Sequence, residues 1–358
     1  MKVLVTGGAG YIGSHTCVDL LNSGYDVSVF DNFSNSNPEV LQRIRHITGK
    51  NVTLYRGDLR CKAQVVKALC LSGAKAVVHF AGLKAVGDSV QMPVRYYSNN
   101  VVGTTILLQA MEECAVHALV FSSSATVYGQ PQWLPLTEDH PLSTTNPYGQ
   151  TKLVIEDMLR YLCRSNPRWT TVLLRYFNPV GAHDSGAMGE DPQGTPSNLM
   201  PYVAQVAVGR RDLLQVWGGD YDTPDGTGVR DYIHVMDLAR GHARALEQLK
   251  ALQGCIEINL GTGTGYSVLD IVTAFEQTSG KKVPYRIAPR RSGDVAICYA
   301  DVNKALQILG WKAERTLNQM CSDAWCWQSS HPFGYAQESL SAQAASKSYS
   351  RHATTLKC

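Results

Sequence analysis

Lys2-Val3-Leu4-Val5-Thr6-Gly7-Gly8-Ala9-Gly10-Tyr11-Ile12-Gly13 passes from a short apolar run, through glycines spaced G-x-x-G-x-x-G, into a segment whose periodicity predicts a helix from Ile12 to about Asn22. Glycine suits the turn because the backbone must bend tightly and approach a ligand closely. A pyrophosphate can then rest on the free N–H groups at the helix N-terminus. A second run, Asp26-Val27-Ser28-Val29-Phe30, ends at Asp31. That is about twenty residues beyond the glycines, where a carboxylate accepts from both hydroxyls of an adenosine ribose. An isolated Asp would simply start a turn; here strand, glycine turn, helix, strand and acid follow in the order a dinucleotide requires. No Arg or Lys lies between Asp31 and Asn37 to offset a 2'-phosphate, so NAD is expected rather than NADP.

Outward from this unit, short apolar runs near 2–6, 26–30, 52–55, 76–80, 117–121 and 170–175 are separated by stretches long enough for helical crossovers. The pattern predicts an α/β fold with a doubly wound parallel sheet. Ligands gather at the carboxyl ends of strands in such sheets, where Asp58, the segment from Phe80 to Lys84 and Ser122 to Ser124 fall. Farther on, Tyr148 and Lys152 stand four residues apart behind Asn146 and Pro147, a plausible helix cap and first position. At that spacing they share a helix face. The pair alone is common on solvated helices; next to a dinucleotide turn it reads as a phenol whose pKa of about 10 is lowered by an ammonium and by an oxidised nicotinamide. Ser124 would relay hydrogen bonds to a substrate hydroxyl. His79, within the run Ala76 to Phe80, is read as a hydrogen-bonded core residue.

The chain has 358 residues, 44% hydrophobic and 18% charged, with a formal net charge of +3. That excess of base is too slight to suggest nucleic acid, and no Lys/Arg block stands out. No apolar stretch reaches about 18 residues, and the N-terminus enters the first strand directly, so no membrane span or leader and a cytoplasmic location are expected. The ten cysteines form no Cys-x-x-Cys pair and lie mostly in apolar segments, so neither a metal nor a disulfide is expected. Residues 181–228 are rich in Gly, Pro and Asp, with a helix predicted around Leu199 to Gly209, as in a smaller lobe closing over a ligand. The last stretch, 336–358, reads as a disordered tail.

The glycine turn with Ser124, Tyr148 and Lys152 resembles the extended short-chain dehydrogenase/reductase superfamily. Longer strings are similar to the UDP-glucose 4-epimerase family: FSSSATVYG at 121–129, LRYFNPVGA at 174–182, NLMP at 198–201, GVRDYIHVMD at 228–237 and APRRSGD at 288–294. The resemblance implies a Rossmann-type NAD-binding domain over 1–177, to which segments near 230–260 return, and a mixed α/β sugar-nucleotide lobe over 178–335. By matching, NAD would lie on Gly7, Gly10, Tyr11, Ile12, Gly13, Asp31, Asn32, Asn35, Ser36, Asp58, Leu59, Phe80, Ala81, Gly82, Lys84, Asn99, Ser122, Tyr148, Lys152 and Phe177. A UDP-sugar would meet Lys84, Ser124, Tyr148, Tyr176, Asn178, Asn198, Leu199, Gln215, Val216, Trp217, Arg230, Tyr232, Arg291, Asp294 and Cys298. The arginines suit a diphosphate because a planar guanidinium donates paired hydrogen bonds while staying charged. A homodimer is also implied.

The activity implied is inversion at C4 of a UDP-hexose through a transient 4-keto sugar, with Tyr148 as base and Ser124 bridging. Aligned without gaps through Arg290 to Asp294, the position that holds a large tyrosine in family members restricted to smaller sugars is Cys298. A wider pocket, admitting N-acetylated sugars, would follow; a one-residue shift would instead bring the ring of Tyr299 to the wall. Two other readings stand beside this one. A sugar-nucleotide 4,6-dehydratase would need an acid next to the Ser, where Ala125 and Thr126 lie. A non-enzymatic NAD sensor would have no need of Ser, Tyr and Lys together.

Overall fold

The computed structural model describes residues 1–291 and 293–334. The predicted tail, 336–358, lies outside the described residues. The first half supplies six strands: β1 (Lys2–Thr6), β2 (Asp26–Asp31), β3 (Thr53–Arg56), β4 (Ala76–His79), β5 (Ala118–Ser124) and β6 (Thr170–Tyr176). The second half adds β7 (Asn178–Val180), β8 (Leu214–Trp217), β9 (Val229–His234), β10 (Gly254–Leu260), β11 (Gly265–Ser267), β12 (Tyr285–Ala288) and β13 (Ile297–Cys298). Seven of these form one parallel sheet in the order β10-β6-β5-β4-β1-β2-β3. The chain therefore reverses direction across the sheet between β1 and β4, and the crevice at that switch point is where a ligand belongs.

Helices cover both faces of the sheet, which is why its inner strands are continuous apolar runs rather than alternating ones. One buried cluster joins Val3, Val5, Val29 and Val78 to the helix Tyr11–Asn22 and to Leu238 and Leu246 of the helix Val235–Gln248. The other joins Leu4, Val77, Leu119 and Leu173 to Leu107, Ile155 and Leu159 on the opposite face. His79 is buried, bonded to Thr6 Oγ1 at 2.6 Å and Thr104 Oγ1 at 2.9 Å, and burial pushes its pKa down to about 3. It is a neutral core residue.

β5 runs three residues beyond its predicted end. Its pairing with β6 continues through Ser122↔Leu174, Ser123↔Arg175 and Ser124↔Tyr176, so Ser124 is the last strand residue rather than part of a loop. A ladder hydrogen bond fixes its main chain more tightly than a loop would. The second-half elements make a smaller lobe, with β7, β9, β11 and β13 in one sheet and β8 beside β12 in another. No helix among the described residues is long and apolar enough to cross a membrane.

Candidate active site

The glycine turn is shaped by contacts that no side chain would survive. Gly7 has φ of 69°, and a Cβ there would come within 2.6 Å of Ala81 N. At Gly13 it would come within 2.3 Å of Gly7 O. Gly10 caps the helix Tyr11–Asn22 without a side chain, so the first N–H groups of that helix face the turn. Asp31, at the end of β2, accepts from Ala9 N at 3.0 Å, Phe33 N at 2.9 Å and Ser36 Oγ at 3.0 Å. A main-chain cradle that any Cβ would fill, closed by an oriented carboxylate, fits a dinucleotide.

The neighbouring expected cofactor residues come to the same strand ends. Asn32 donates to Asp58 at 3.2 Å, and a forked bond from Arg60 holds the Asp58 carboxyl well below its usual range. Phe80 packs on the His242 ring, centroids 4.7 Å apart. Leu59 and Phe177 are largely core residues, and Asn35 is exposed. Buried Asn100, which sequence reasoning missed, accepts from Leu83 N at 2.8 Å and Asn99 Nδ2 at 3.1 Å, and donates to Leu83 O and to Thr151 Oγ1. It thereby ties the segment carrying Ala81, Gly82 and Lys84 to the helix that carries Tyr148.

That helix, Pro147–Ser165, begins where Asn146 Oδ1 accepts from Gly149 N at 2.9 Å, with Pro147 in the first turn. Lys152 is buried and donates to Ser122 O at 2.5 Å. Its Nζ lies 4.8 Å from the centre of the Phe121 ring and 5.9 Å from that of Tyr148. Ser124 Oγ accepts from Thr126 N at 3.3 Å and Thr126 Oγ1 at 3.0 Å, which leaves its own proton for another partner. Burial pushes the Tyr148 phenol up to about 12, against a smaller lowering by hydrogen bonding with Ser124. Burial likewise pushes Lys152 down to about 7, partly offset by Glu156. Of the two charges expected to lower the phenol, the Lys152 ammonium by itself does not outweigh burial. Burial disfavours the charge on both partners, and the protein by itself holds a neutral phenol.

The shifted lysine has a stability consequence. An unfolded lysine titrates near about 10.4, so between about pH 10 and 7 the unfolded chain takes up a proton that the folded protein resists. Folding is penalised more as pH falls through that window, and the penalty is constant below it. Lys152→Met removes the titrating group. Urea unfolding at several pH values should show the variant gaining on the wild type from about pH 10 down to pH 7; parallel pH profiles would mean that Lys152 keeps an ordinary pKa.

One helical turn beyond Lys152, fully buried Glu156 accepts from Ser123 Oγ at 2.5 Å, from Arg175 Nε at 3.0 Å and Nη2 at 2.7 Å, and from Arg160 at 2.7 Å. This links the helix to the paired residues Ser123 of β5 and Arg175 of β6, one step before Ser124. A buried carboxylate so fully paired is costly to disturb. The i,i+4 spacing to Lys152 is the one sequence signal it offers.

In the smaller lobe, Asn198 caps the helix Leu199–Ala207 and donates from Nδ2 to Glu190 Oε1 at 2.9 Å. Lys84 reaches the same oxygen at 2.8 Å. Trp217 is 39% exposed at the end of β8, with the Arg291 guanidinium 6.0 Å from its ring, and Arg291 pairs with Asp294 at 3.0 Å. Arg230, on β9, donates to Val229 O at 2.8 Å, and Thr145 Oγ1 donates to Gly293 O at 3.2 Å, next to the cap of the Tyr148 helix. Asn178, on β7, is exposed, and Gln215 is half-buried on β8. Three more of the expected substrate residues are buried. Val216 and Tyr232 bury their side chains in the lobe core, and the Tyr176 hydroxyl bonds His242 Nε2 at 2.5 Å.

Cys298 pairs with Arg230 across β13 and β9 and packs on the cluster of Val127, Tyr128, Leu136, Phe177 and Ala300. The Tyr299 ring goes the other way, against Gly265 of β11, where a Cβ on the glycine would lie 3.5 Å from Tyr299 Cδ1. The two side chains are on opposite faces of the strand.

A dinucleotide turn at β1, with Ser, Tyr and Lys gathered at the carboxyl end of β5, is the arrangement of an extended short-chain dehydrogenase/reductase. Consistent with it, residues 4–324 match the family model described as GDP-mannose 4,6 dehydratase. The UDP-glucose 4-epimerase of Bacillus subtilis (strain 168) is 60% identical over 335 residues, 94% of this chain and 99% of that one. The crystal structure of UDP-glucose 4-epimerase from Bifidobacterium longum in complex with NAD+ and UDP is 54% identical with a TM-score of 0.92, over 94% of this chain and 100% of that one. The UDP-Glc/GlcNAc 4-epimerase of Campylobacter jejuni is 35% identical with a TM-score of 0.80, over 92% and 99%. The chain belongs to the UDP-glucose 4-epimerase family.

Proposed function

We propose that this protein is an NAD-dependent epimerase that inverts C4 of UDP-hexoses, interconverting UDP-glucose and UDP-galactose and also their N-acetylated counterparts. The observation that carries the reading is the convergence of Ser124, Tyr148 and Lys152 at the carboxyl end of β5, on the same edge of the sheet as the Gly7–Gly13 turn that follows β1 two strands away. Residues 1–177 hold the dinucleotide and residues 178–335 the sugar nucleotide. NAD, when bound, supplies the hydride acceptor and donor for C4 and a positive charge beside the phenol.

The rest is done by the chain's own residues. Tyr148 takes the proton of the sugar 4-hydroxyl, through Ser124, and returns it to the C4 oxygen once the turned hexose presents its opposite face for reduction. Lys152 sets the electrostatics of that transfer from inside the fold. Arg230, Arg291 and Asn198 grip the diphosphate end while the 4-keto hexose turns about its link to the anchored UDP. Dehydration is disfavoured because Thr126 and Ala125, next to Ser124, carry no acid; Thr126 instead donates to Ser124. The wider sugar range rests on Cys298 at the pocket wall with Tyr299 on the far side of the strand. The Campylobacter jejuni relative, an enzyme named for both sugar types, adds support.

Purified protein should convert UDP-galactose without added NAD. In heavy water the product should keep its original C4 hydrogen. Solvent deuterium at C4 would sink the mechanism.

We place the enzyme in the cytoplasm, as a homodimer. Val94 (80% exposed), Tyr161 (68%) and Val90 (59%) lie on the helices Val86–Gln91, Pro93–Tyr96 and Pro147–Ser165, apolar surface that suits a second copy of the chain. Sedimentation as a monomer at micromolar concentration would refute the dimer.

A further inference from the structure

We propose that Glu190 is a positioning residue that joins the two sides of the substrate cleft, holding Lys84 and Asn198 in register for the UDP-sugar. This rests on the epimerase reading for the identity of the ligand, and on the geometry for everything else.

Lys84 comes from the segment after β4, on the sheet side, and Asn198 from the cap of Leu199–Ala207, on the lobe side. Their donors meet on a single oxygen, Glu190 Oε1, at 2.8 and 2.9 Å. The Glu190 side chain is only 10% exposed, although Lys84 is 40% exposed. Its backbone is fixed independently. Trp327 Nε1 donates to Glu190 O at 3.2 Å, and Gly189 lies so flat on the Trp327 indole that a Cβ would come within 2.4 Å of it. The same loop is pinned to the dinucleotide turn, where Tyr11 donates to Gly181 O at 2.7 Å and Met188 O contacts His15 at 3.3 Å.

A carboxylate has no direct use as a phosphate ligand, since like charges repel. At this place its effect is to orient an ammonium and an amide that would otherwise sample many rotamers, so the substrate meets donors already aimed. The loss of Glu190 should therefore weaken binding and leave chemistry at Tyr148 nearly intact. Because Glu190 acts through Asn198 as well as Lys84, the cost of deleting it should shrink, without vanishing, once Asn198 is gone.

The test is steady-state kinetics on UDP-galactose with the full-length holoenzyme: wild type, Glu190→Ala, Glu190→Gln, Asn198→Ala and the Ala double variant. Glu190→Ala should raise KM about tenfold with kcat within about threefold, and Glu190→Gln, which keeps an acceptor, should recover most of that loss. The double variant should have a KM within about threefold of Asn198→Ala, where independent sites would multiply. An unchanged KM in Glu190→Ala, a fall in kcat without a rise in KM, or multiplicative effects would overturn the proposal. If Glu190→Ala does not fold, as judged by melting and retained NAD, the same cycle with Glu190→Asp, whose shorter side chain draws the carboxylate back from both donors, decides it: a raised KM with less than multiplicative effects supports, an unchanged KM or multiplicative effects overturn. A wild type that leaves UDP-galactose unconverted would instead refute the epimerase reading.

Discussion

Tyr148→Phe should lower kcat on UDP-galactose by about a thousandfold, with KM within about threefold of the wild type, because general acid–base groups contribute 10²–10⁴-fold and the substitution removes one oxygen and nothing else. The ring of Tyr148 stays in place, beside Lys152 and one turn from Thr151, whose hydroxyl donates to Tyr148 O at 2.7 Å. The cap at Asn146 and the Lys152–Ser122 bond do not involve the phenol oxygen, so the helix should start and sit as before. What is lost is the acceptor for the 4-hydroxyl proton. The neighbouring groups offer poor substitutes: Ser124 is a weak base, and Lys152, turned into the Ser122 carbonyl, is held away from the cleft. Retained NAD and an unchanged melting profile would show that the variant is folded and loaded. If it still epimerises within about tenfold of the wild-type rate, the phenol is not the base.

The pKa pattern explains why this chemistry is built inside the fold. Tyr148 at about 12 and Lys152 at about 7 are both displaced toward their neutral forms by burial. Near pH 7 the resting pair is then a protonated phenol beside a lysine on the edge of losing its proton. A modest added positive charge at the phenol shifts that balance strongly, because a low-dielectric site amplifies every interaction within it. The residues are arranged to respond to a bound cation rather than to be ionised in advance.

What the sequence could disclose follows from how local each signal is. Six strands were legible because parallel, doubly covered strands are continuous apolar runs, and Tyr148 with Lys152 was legible because helical period fixes which residues share a face. The seventh strand, Gly254–Leu260, was not read as one. Glu257 and Asn259 interrupt its apolar run, and only the fold shows why they are tolerated: Glu257 meets Arg160 at 3.5 Å, and Asn259 accepts from Tyr128 at 2.6 Å while donating to Leu136 O at 2.8 Å. Glu190 was invisible for a related reason. Its partners stand 106 and 8 residues away along the chain, and a carboxylate in a Gly-, Pro- and Asp-rich stretch reads as solvated loop. Tyr176, Val216 and Tyr232 mark a limit of another kind, since family likeness marks a position without saying which way its side chain points.

Cys298→Tyr should cut kcat/KM on UDP-GalNAc by at least about a hundredfold while leaving that on UDP-galactose within about threefold, since overpacking a filled site is far costlier than crowding an open one. Cys298 stands on the two-residue strand β13, fixed by pairing with Arg230, a residue assigned above to the diphosphate. Its side chain packs against the cluster of Val127, Tyr128 and Phe177 and is only half-buried. A phenol ring grown from that Cβ has no room on the cluster side and, on the proposed sugar range, should fill the space that an acetamido group needs. The ring of Tyr299 cannot serve as that wall, because it packs on Gly265 across the strand. Assaying both proteins on both substrates separates the outcomes. A wild type inactive on UDP-GalNAc but active on UDP-galactose would show that the cleft is already closed by some other group. A variant that still accepts the acetylated sugar would show that position 298 does not line it.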